Sequence, residues 1–387
     1  MTFDFATAAT VRFGSGCLAD VGPLAVPLGR RALVVTGRTP HRADLLVERL
    51  IDAGVECTST GISGEPTVDD IRRATGLARD LRCELVVGFG GGSALDAAKA
   101  VAMLLGNGGD PMDYLEVIGQ GRPITQPSVP CIAVPTTAGT GSEVTRNAVL
   151  SSPQHGVKAS LRSPFLLPRI ALVDPDLTLS VPRPVTVATG MDALTQLLEP
   201  FVSVRANPVT DGLCREGLAR AARSLRRVCA HGRDAAARAD MALASLLGGM
   251  ALANAGLGAV HGFAAVIGGS FTAPHGAVCA RLLAPVCRAN VAALRARGGG
   301  SDAPARYDEA ARVLTGRPGA TADDLVAWLE ALAADLGVPP LSAHGMAEAD
   351  IPTVVRRSAQ ASSMKGNPIA LRPDEMAQVL LHALGAG

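Results

Sequence analysis

At 387 residues the chain has room for two or three domains. With 48% hydrophobic residues each can hold a substantial core. Only 18% of residues are charged and the formal net charge is +1, so nothing calls for nucleic acid or an anionic membrane as partner. The eight cysteines form no C-x-x-C pair and read as reduced, mostly buried thiols of a cytoplasmic protein. Met1 to Gly16 has no basic-then-apolar signal pattern and reads as a strand and turn. No run of about 20 uninterrupted apolar residues occurs, so no membrane span is expected. The short basic cluster Arg223–Arg227 reads as a solvated helix face.

The first 180 residues alternate short apolar runs with helical stretches. Strands are expected at Ala32–Thr36, Glu84–Gly88, Cys131–Pro135 and Ile170–Asp174. Each run is continuously apolar, as in strands buried on both faces of a parallel sheet. Helices are expected at His41–Ala53, Val68–Asp80 and Ser93–Leu105. This alternation predicts a doubly wound α/β nucleotide-binding domain over residues 1–180.

From about Val181 the strand-like runs stop. Val185–Val202, Pro208–Ala230, Ala235–Ala255, Pro304–Thr315 and Asp323–Leu336 carry Ala and Leu at helical spacing. Pro208 and Pro304 suit the first position of their helices, and Pro-Arg-Pro at 182–184 marks a linker or helix start. Residues 181–387 therefore read as an all-α domain.

Two loops follow expected strands. Gly88-Phe89-Gly90-Gly91-Gly92-Ser93 opens a helix. Glycine lets a phosphate approach bare backbone, and a helix start favours an anion. Ser93 is expected to cap that helix, and Asp96 to reach a ribose hydroxyl or a water. The alternative is a tight turn with no ligand. The loop follows an internal strand, so it is not the usual first-turn dinucleotide fingerprint. Pro135–Thr145 packs five hydroxyls and two glycines into eleven residues, which suits a polar pocket or a self-capping turn. Loops after neighbouring strands meet where open α/β sheets bind ligands.

In the helical half, Asp192 and Gln196 share a helix face. His261 and His275 follow in a glycine-rich stretch from Gly256 to Gly276. An acid, an amide oxygen and two imidazoles form either a four-ligand site for a divalent first-row metal or a set of satisfied polar residues. A metal there would hold an alcohol oxygen as a Lewis acid.

Val86–Ala97, Pro135–Thr145, Gly190-Met191-Asp192-Ala193-Leu194-Thr195 and the two later histidine motifs together resemble the iron-containing (group III) alcohol dehydrogenase family. The resemblance runs from about Thr10 to the C-terminal helices. It implies a dehydroquinate synthase-like α/β cofactor domain, a helical metal and substrate domain, and an active site in the cleft between them. It implies NAD or NADP held by Gly91, Gly92, Ser93 and Asp96, with Thr136, Thr137, Thr140 and Lys158 nearby. It implies Fe2+ or Zn2+ at Asp192, Gln196, His261 and His275, with the two histidines catalytic. It also implies a small alcohol or aldehyde substrate and a homodimer or higher homo-oligomer.

Three positions depart from the family pattern. Gln196 replaces a histidine ligand, and an amide oxygen is a poorer donor than imidazole for iron or zinc. Ala265 replaces a further histidine. After the strand Ala32–Thr36, Gly37 and Arg38 stand where many NAD-preferring members place an acid, which leans the expectation toward NADP or dual use. Two rival readings remain. One is a metal-free oxo-acid reductase, similar to the maleylacetate reductases, with Arg146 or Arg162 as candidate substrate cations. The other is a cofactor-binding protein that has lost catalysis.

Overall fold

The computed structural model describes residues 2–155, 157–298 and 300–385. It divides into two compact units. One comprises Ala6–Thr137 with Gly141–Leu179. The other runs from Ser180 onward and takes in the loop tip Ala138–Thr140 and the N-terminal residues up to Phe5.

The first unit holds strands β1 (Thr10–Phe13), β2 (Arg31–Thr36), β3 (Glu56–Gly61), β4 (Leu85–Gly90), β5 (Cys131–Pro135), β6 (Asn147–Ser152), β7 (Val157–Arg162) and β8 (Ile170–Val173). Its helices are α1 (Val21–Ala25), α2 (Asp44–Asp52), α3 (Val68–Asp80), α4 (Gly92–Asn107) and α5 (Pro111–Tyr114). Six strands form one parallel sheet in the order β1-β8-β5-β4-β2-β3. Strands β4, β5 and β8 are buried along their whole length, as their continuous apolar runs require.

The edge strands were harder to read. β3 is Glu-Cys-Thr-Ser-Thr-Gly, largely exposed, with no apolar run to mark it. β6 and β7 pair antiparallel and alternate buried with partly buried residues. Ala148, Leu150, Ala159 and Leu161 share a core with the buried face of α4. That hairpin carries the period of two of a sheet with one wet face.

The ends of β2, β4 and β5 lie side by side, with Thr36 opposite Phe89 and Gly90 opposite Pro135. The two expected loops therefore emerge next to each other. Gly90 has φ +157°, and a Cβ on it would stand 2.7 Å from the Ala94 Cβ. Only glycine turns the chain into α4 so sharply.

The second unit holds α6 (Arg183–Val202), α7 (Pro208–Ala230), α8 (Ala235–Ala255), α9 (Ala259–Ser270), α10 (His275–Arg297), α11 (Ala303–Thr315), α12 (Ala322–Leu336), α13 (Ile351–Ser358) and α14 (Pro373–Leu384). α6 is its centre, buried continuously from Gly190 to Val202. Pro182 is its N-cap, which resolves the Pro-Arg-Pro segment as a helix start. The glycine-rich stretch around His261 is largely helical: α9 and the start of α10, separated by a short break. α9 is apolar nearly all round, so it shows no 3.6-residue polar face to read. α8 and α10 are long and apolar enough to cross a membrane by length and composition, but both are mostly buried among the other helices of this unit.

Glu143, just beyond the loop tip, is buried, and burial raises its pKa from 4.5 to about 7. A raised carboxyl pKa means that the fold favours the neutral acid. The contribution is complete below about pH 4.5 and is lost as pH rises through about 7. Glu143→Gln is expected to abolish this loss. Thermal melts at pH 5 and pH 8 should show the variant gaining on the wild type as pH rises, by at most about 3 kcal/mol.

Candidate active site

Three helices of the second unit bring four side chains together. Asp192 lies on α6, His261 at the third position of α9, His275 at the first of α10 and Cys279 one turn later. One ligating atom from each lies within 4.8 Å of all the others. The His261 Nε2 is 3.4 Å and the His275 Nε2 3.8 Å from the Asp192 Oδ1. The Cys279 Sγ is 3.6 Å from the His275 Nε2 and 3.9 Å from the His261 Nε2. Asp192, His261 and Cys279 are buried, while the His275 side chain is 38% exposed and forms the open side.

Asp192, Gln196 and Glu199 are spaced i, i+4, i+7, one stripe of α6. Glu199 ties that stripe to α9. One carboxylate oxygen accepts the Val260 N–H at 2.7 Å, and the other lies 2.6 Å from the His261 Nδ1. A carboxylate oxygen accepts, so the hydrogen sits on Nδ1 and Nε2 is left to face Asp192. Gly258 permits this approach, because a Cβ there would lie 2.9 Å from the Glu199 Oε1. Asn367 adds a second bond at the same helix start, accepting the Ala259 N–H.

Two acceptors in the site lack hydrogen bonds. The Asp192 Oδ1 and the Gln196 Oε1 are buried without a partner, and such groups are costly to leave unmet. The Gln196 amide bonds to the Asp192 carboxylate, so Gln196 steers the acid while its own carbonyl stays unmet.

The electrostatics point the same way. Burial pushes the Asp192 carboxyl up, but His261 and His275 outweigh it and the net shift is downward. Burial opposes charge on His261, yet Cys279, Glu199 and Asp192 hold its pKa well above the ordinary value. Burial would raise the Cys279 thiol, and the two imidazoles pull it below its usual range. The pocket favours negative donors around positive charge. Two imidazole nitrogens, a carboxylate and a sulfur, with unmet oxygens beside them, fit a divalent first-row cation.

Cys279 escaped the sequence reading because it was counted among inert buried thiols. The signal was present: His275 and Cys279 are four apart, which puts them on one face once the segment is known to be helical. Glu199 was missed for a similar reason, although it continues the Asp192–Gln196 stripe. Ala265 is exposed, one turn beyond His261 on α9.

In the first unit, Gly91 is the N-cap of α4, and no side chain caps that helix start. Ser93 is thus inside the first turn rather than its cap, as the sequence had suggested. Gly92 is the first helical residue. The Thr136 N–H donates to the Gly90 carbonyl at 2.8 Å, and a Cβ on Gly91 would meet the Thr137 Oγ1 at 3.3 Å. Asp96 was expected to face a ribose or a water. Its carboxylate instead accepts the Ser142 hydroxyl at 2.5 Å and the Val149 N–H at 2.9 Å. Lys99, unremarked in the sequence, is fully buried beside it. Its ammonium donates to the Ser142 and Asn147 carbonyls and the Thr145 hydroxyl, and lies 3.1 Å from Asp96. Asp96 and Lys99 are therefore the clasp that holds the threonine-rich segment on α4. Lys158 lies on β7 and is ion-paired with Glu65. Thr140 belongs to the loop tip grouped with the helical unit. Gly37 has open space where a Cβ would be, and Arg38 is exposed. Arg146 and Arg162 are also exposed, and Arg162 pairs with Glu116 at 3.3 Å.

With this geometry in place, comparison with known proteins is decisive at family level. Residues 8–175 match the iron-containing alcohol dehydrogenase model, and residues 186–384 match the Fe-containing alcohol dehydrogenase family C-terminal model. The chain is 34% identical to the 1,3-propanediol dehydrogenase of Citrobacter freundii, over 98% of both chains. It is 39% identical to Long-chain-alcohol dehydrogenase 1 of Geobacillus thermodenitrificans, over 78% of this chain and 75% of that one. A crystal structure of 1,3-propanediol oxidoreductase superposes with a TM-score of 0.92 at 33% identity, covering 99% of this chain and 100% of that one. The sulfoacetaldehyde reductase of Bifidobacterium kashiwanohense, solved with NAD+, gives 0.86 at 30% identity, covering 100% of both. The chain belongs to the iron-containing alcohol dehydrogenase family. It is an oxidoreductase of alcohols and aldehydes.

Glu199→Gln retains one acceptor for this helix start but replaces the other with an amide donor facing the His261 Nδ1–H. It is expected to weaken zinc binding by about 10–100-fold with the helical fold intact. Chelator-competition titration against the wild type, with circular dichroism as the control, measures both.

Proposed function

We propose that this chain interconverts a small alcohol and its aldehyde or ketone, exchanging a hydride with NAD or NADP. The observation that carries the reading is the meeting of the two imidazole Nε2 atoms with the hydrogen-bond-deficient Asp192 Oδ1.

Asp192, His261 and His275 would hold a divalent cation, with Gln196 orienting the acid. When bound, such an ion supplies a Lewis acid for the substrate oxygen. The chain's own residues do the rest. Glu199 holds His261 in one tautomer and one orientation. His275, the more exposed of the two imidazoles, is the ligand that a substrate oxygen would approach. Burial of Asp192 and His261 excludes water and strengthens each electrostatic contact.

For the cofactor, the uncapped start of α4 and the bare backbone of Gly91 and Gly92 suit a pyrophosphate. The adjacent Thr136 and Thr137, with Ser93, offer hydroxyls. Asp96 supports the site by holding Ser142 and Val149. The open space at Gly37 and the exposed Arg38 support acceptance of a 2′-phosphate, hence NADP or dual use. Relatives whose names specify small alcohols or aldehydes support the substrate class.

Two experiments test the reading. His275→Ala should lower kcat/KM on a panel of short alcohols and aldehydes by about 100-fold or more, at least the effect of losing a contact that supports a metal site. Unchanged turnover would remove the cluster from the chemistry. Gly37→Asp should shift the ratio of kcat/KM for NADP over NAD toward NAD by about 10–100-fold, the equivalent of one lost charge-assisted bond. An unchanged ratio would refute the role given to that turn.

A further inference from the structure

This inference rests on the reading of the cluster as a metal site, and it concerns what replaces the imidazole that Gln196 lacks. We propose that the Cys279 thiolate is the fourth ligand, so that the chain holds its ion through one oxygen, two nitrogens and one sulfur and takes zinc in preference to iron.

The spacing of the donors carries the argument. A tetrahedral zinc with sulfur at about 2.3 Å and nitrogen or oxygen at about 2.0–2.1 Å sets its sulfur about 3.6 Å from the other donors. The same bond lengths set nitrogens and oxygens about 3.4 Å apart. Here the Cys279 Sγ lies 3.6 Å and 3.9 Å from the two Nε2 atoms. The Nε2 atoms lie 3.4 Å and 3.8 Å from the Asp192 Oδ1. Every one of these edges is within half an ångström of the tetrahedral value.

A second, independent observation comes from the carboxylate. The Asp192 Oδ1 is buried and without a hydrogen bond. A sulfur and two imidazoles around it offer no strong neutral donor bond, whereas a cation at their centre would satisfy all four. The remaining thiols differ. Cys131, Cys214, Cys229 and Cys287 are buried with no such donor set about them among the described residues.

The helix explains the substitution. His275 and Cys279 are one turn apart at the start of α10, so both point to the same face. The chain loses one ligand from α6, at Gln196, and gains one from α10. The set then comes from one residue of α6, one of α9 and two of α10, and thiolate is the donor that favours zinc over iron or magnesium. The Gln196 amide serves to aim Asp192. Four protein ligands make the substrate oxygen a fifth, a number that zinc reaches in transition states.

Cobalt(II) is the probe, because a thiolate bound to it gives a near-ultraviolet charge-transfer band that oxygen and nitrogen donors do not. The purified full chain is stripped with chelator and titrated with cobalt(II), then with zinc in competition. The expected result is one equivalent bound with that band, and displacement by zinc. Cys279→Ser should lose the band and bind zinc on the order of a hundred-fold more weakly, at least matching a lost supporting contact. Gln196→Ala should keep the band. Cobalt bound without the band, or a band that survives in Cys279→Ser, overturns the ligand assignment while leaving the metal-dependent reading in place. No binding by the wild type overturns both.

Discussion

A buried carboxylate with too few hydrogen bonds is the constraint on which this structure turns. Asp192 sits in the most deeply buried helix of its unit, 2% exposed, with one oxygen unsatisfied. A negative charge taken out of water costs several kcal/mol unless something repays it. The repayment we propose is a cation shared between that oxygen and the two imidazole nitrogens within 4 Å of it. Around that requirement the helices are arranged. α6 brings the acid, α9 and α10 bring the imidazoles, and Glu199 joins α6 to the start of α9.

Close helix packing is what makes the arrangement possible, and small residues make the packing possible. Gly276, next to His275, would place a Cβ 2.3 Å from the Ala188 carbonyl, so α10 can begin against α6 only with glycine there. Gly258 does the same for α9 against Glu199. In the sheet unit a different device serves the same end. A buried lysine and its neighbouring aspartate bind the backbone of the threonine-rich segment, leaving the start of α4 uncapped. In both units rigid elements hold the polar groups, and few depend on a free loop.

Much of the fold was legible because parallel strands buried on both faces announce themselves as apolar runs. The three internal ones after the first, together with β2, were readable within a residue or two. β3 was not, since an edge strand of Cys, Thr and Ser carries no such signal. α9 was not, since a helix buried all round loses its period. The site was legible in part for the same reason. Asp192 and Gln196 stood four apart in a readable helix. Cys279 was hidden because the residues after Gly276 carried no helix assignment, and i, i+4 spacing is informative only within a helix. Asp96 was read as a ligand for the cofactor because its position in the first turns of α4 invites that. Its hydrogen-bond partners within the chain, Ser142 and Val149, are about fifty residues away in sequence.

The claim at the centre of this account is that the oxidoreductase works through a metal held by Asp192, His261 and His275. Elemental analysis of the purified chain, paired with turnover before chelation, after it and after zinc is restored, tests it most directly. The account predicts one divalent metal per chain, turnover lost with its removal and recovered with zinc. Full turnover by a chain with no bound metal, indifferent to chelator, would contradict it and leave the two histidines as the groups that polarise the substrate oxygen.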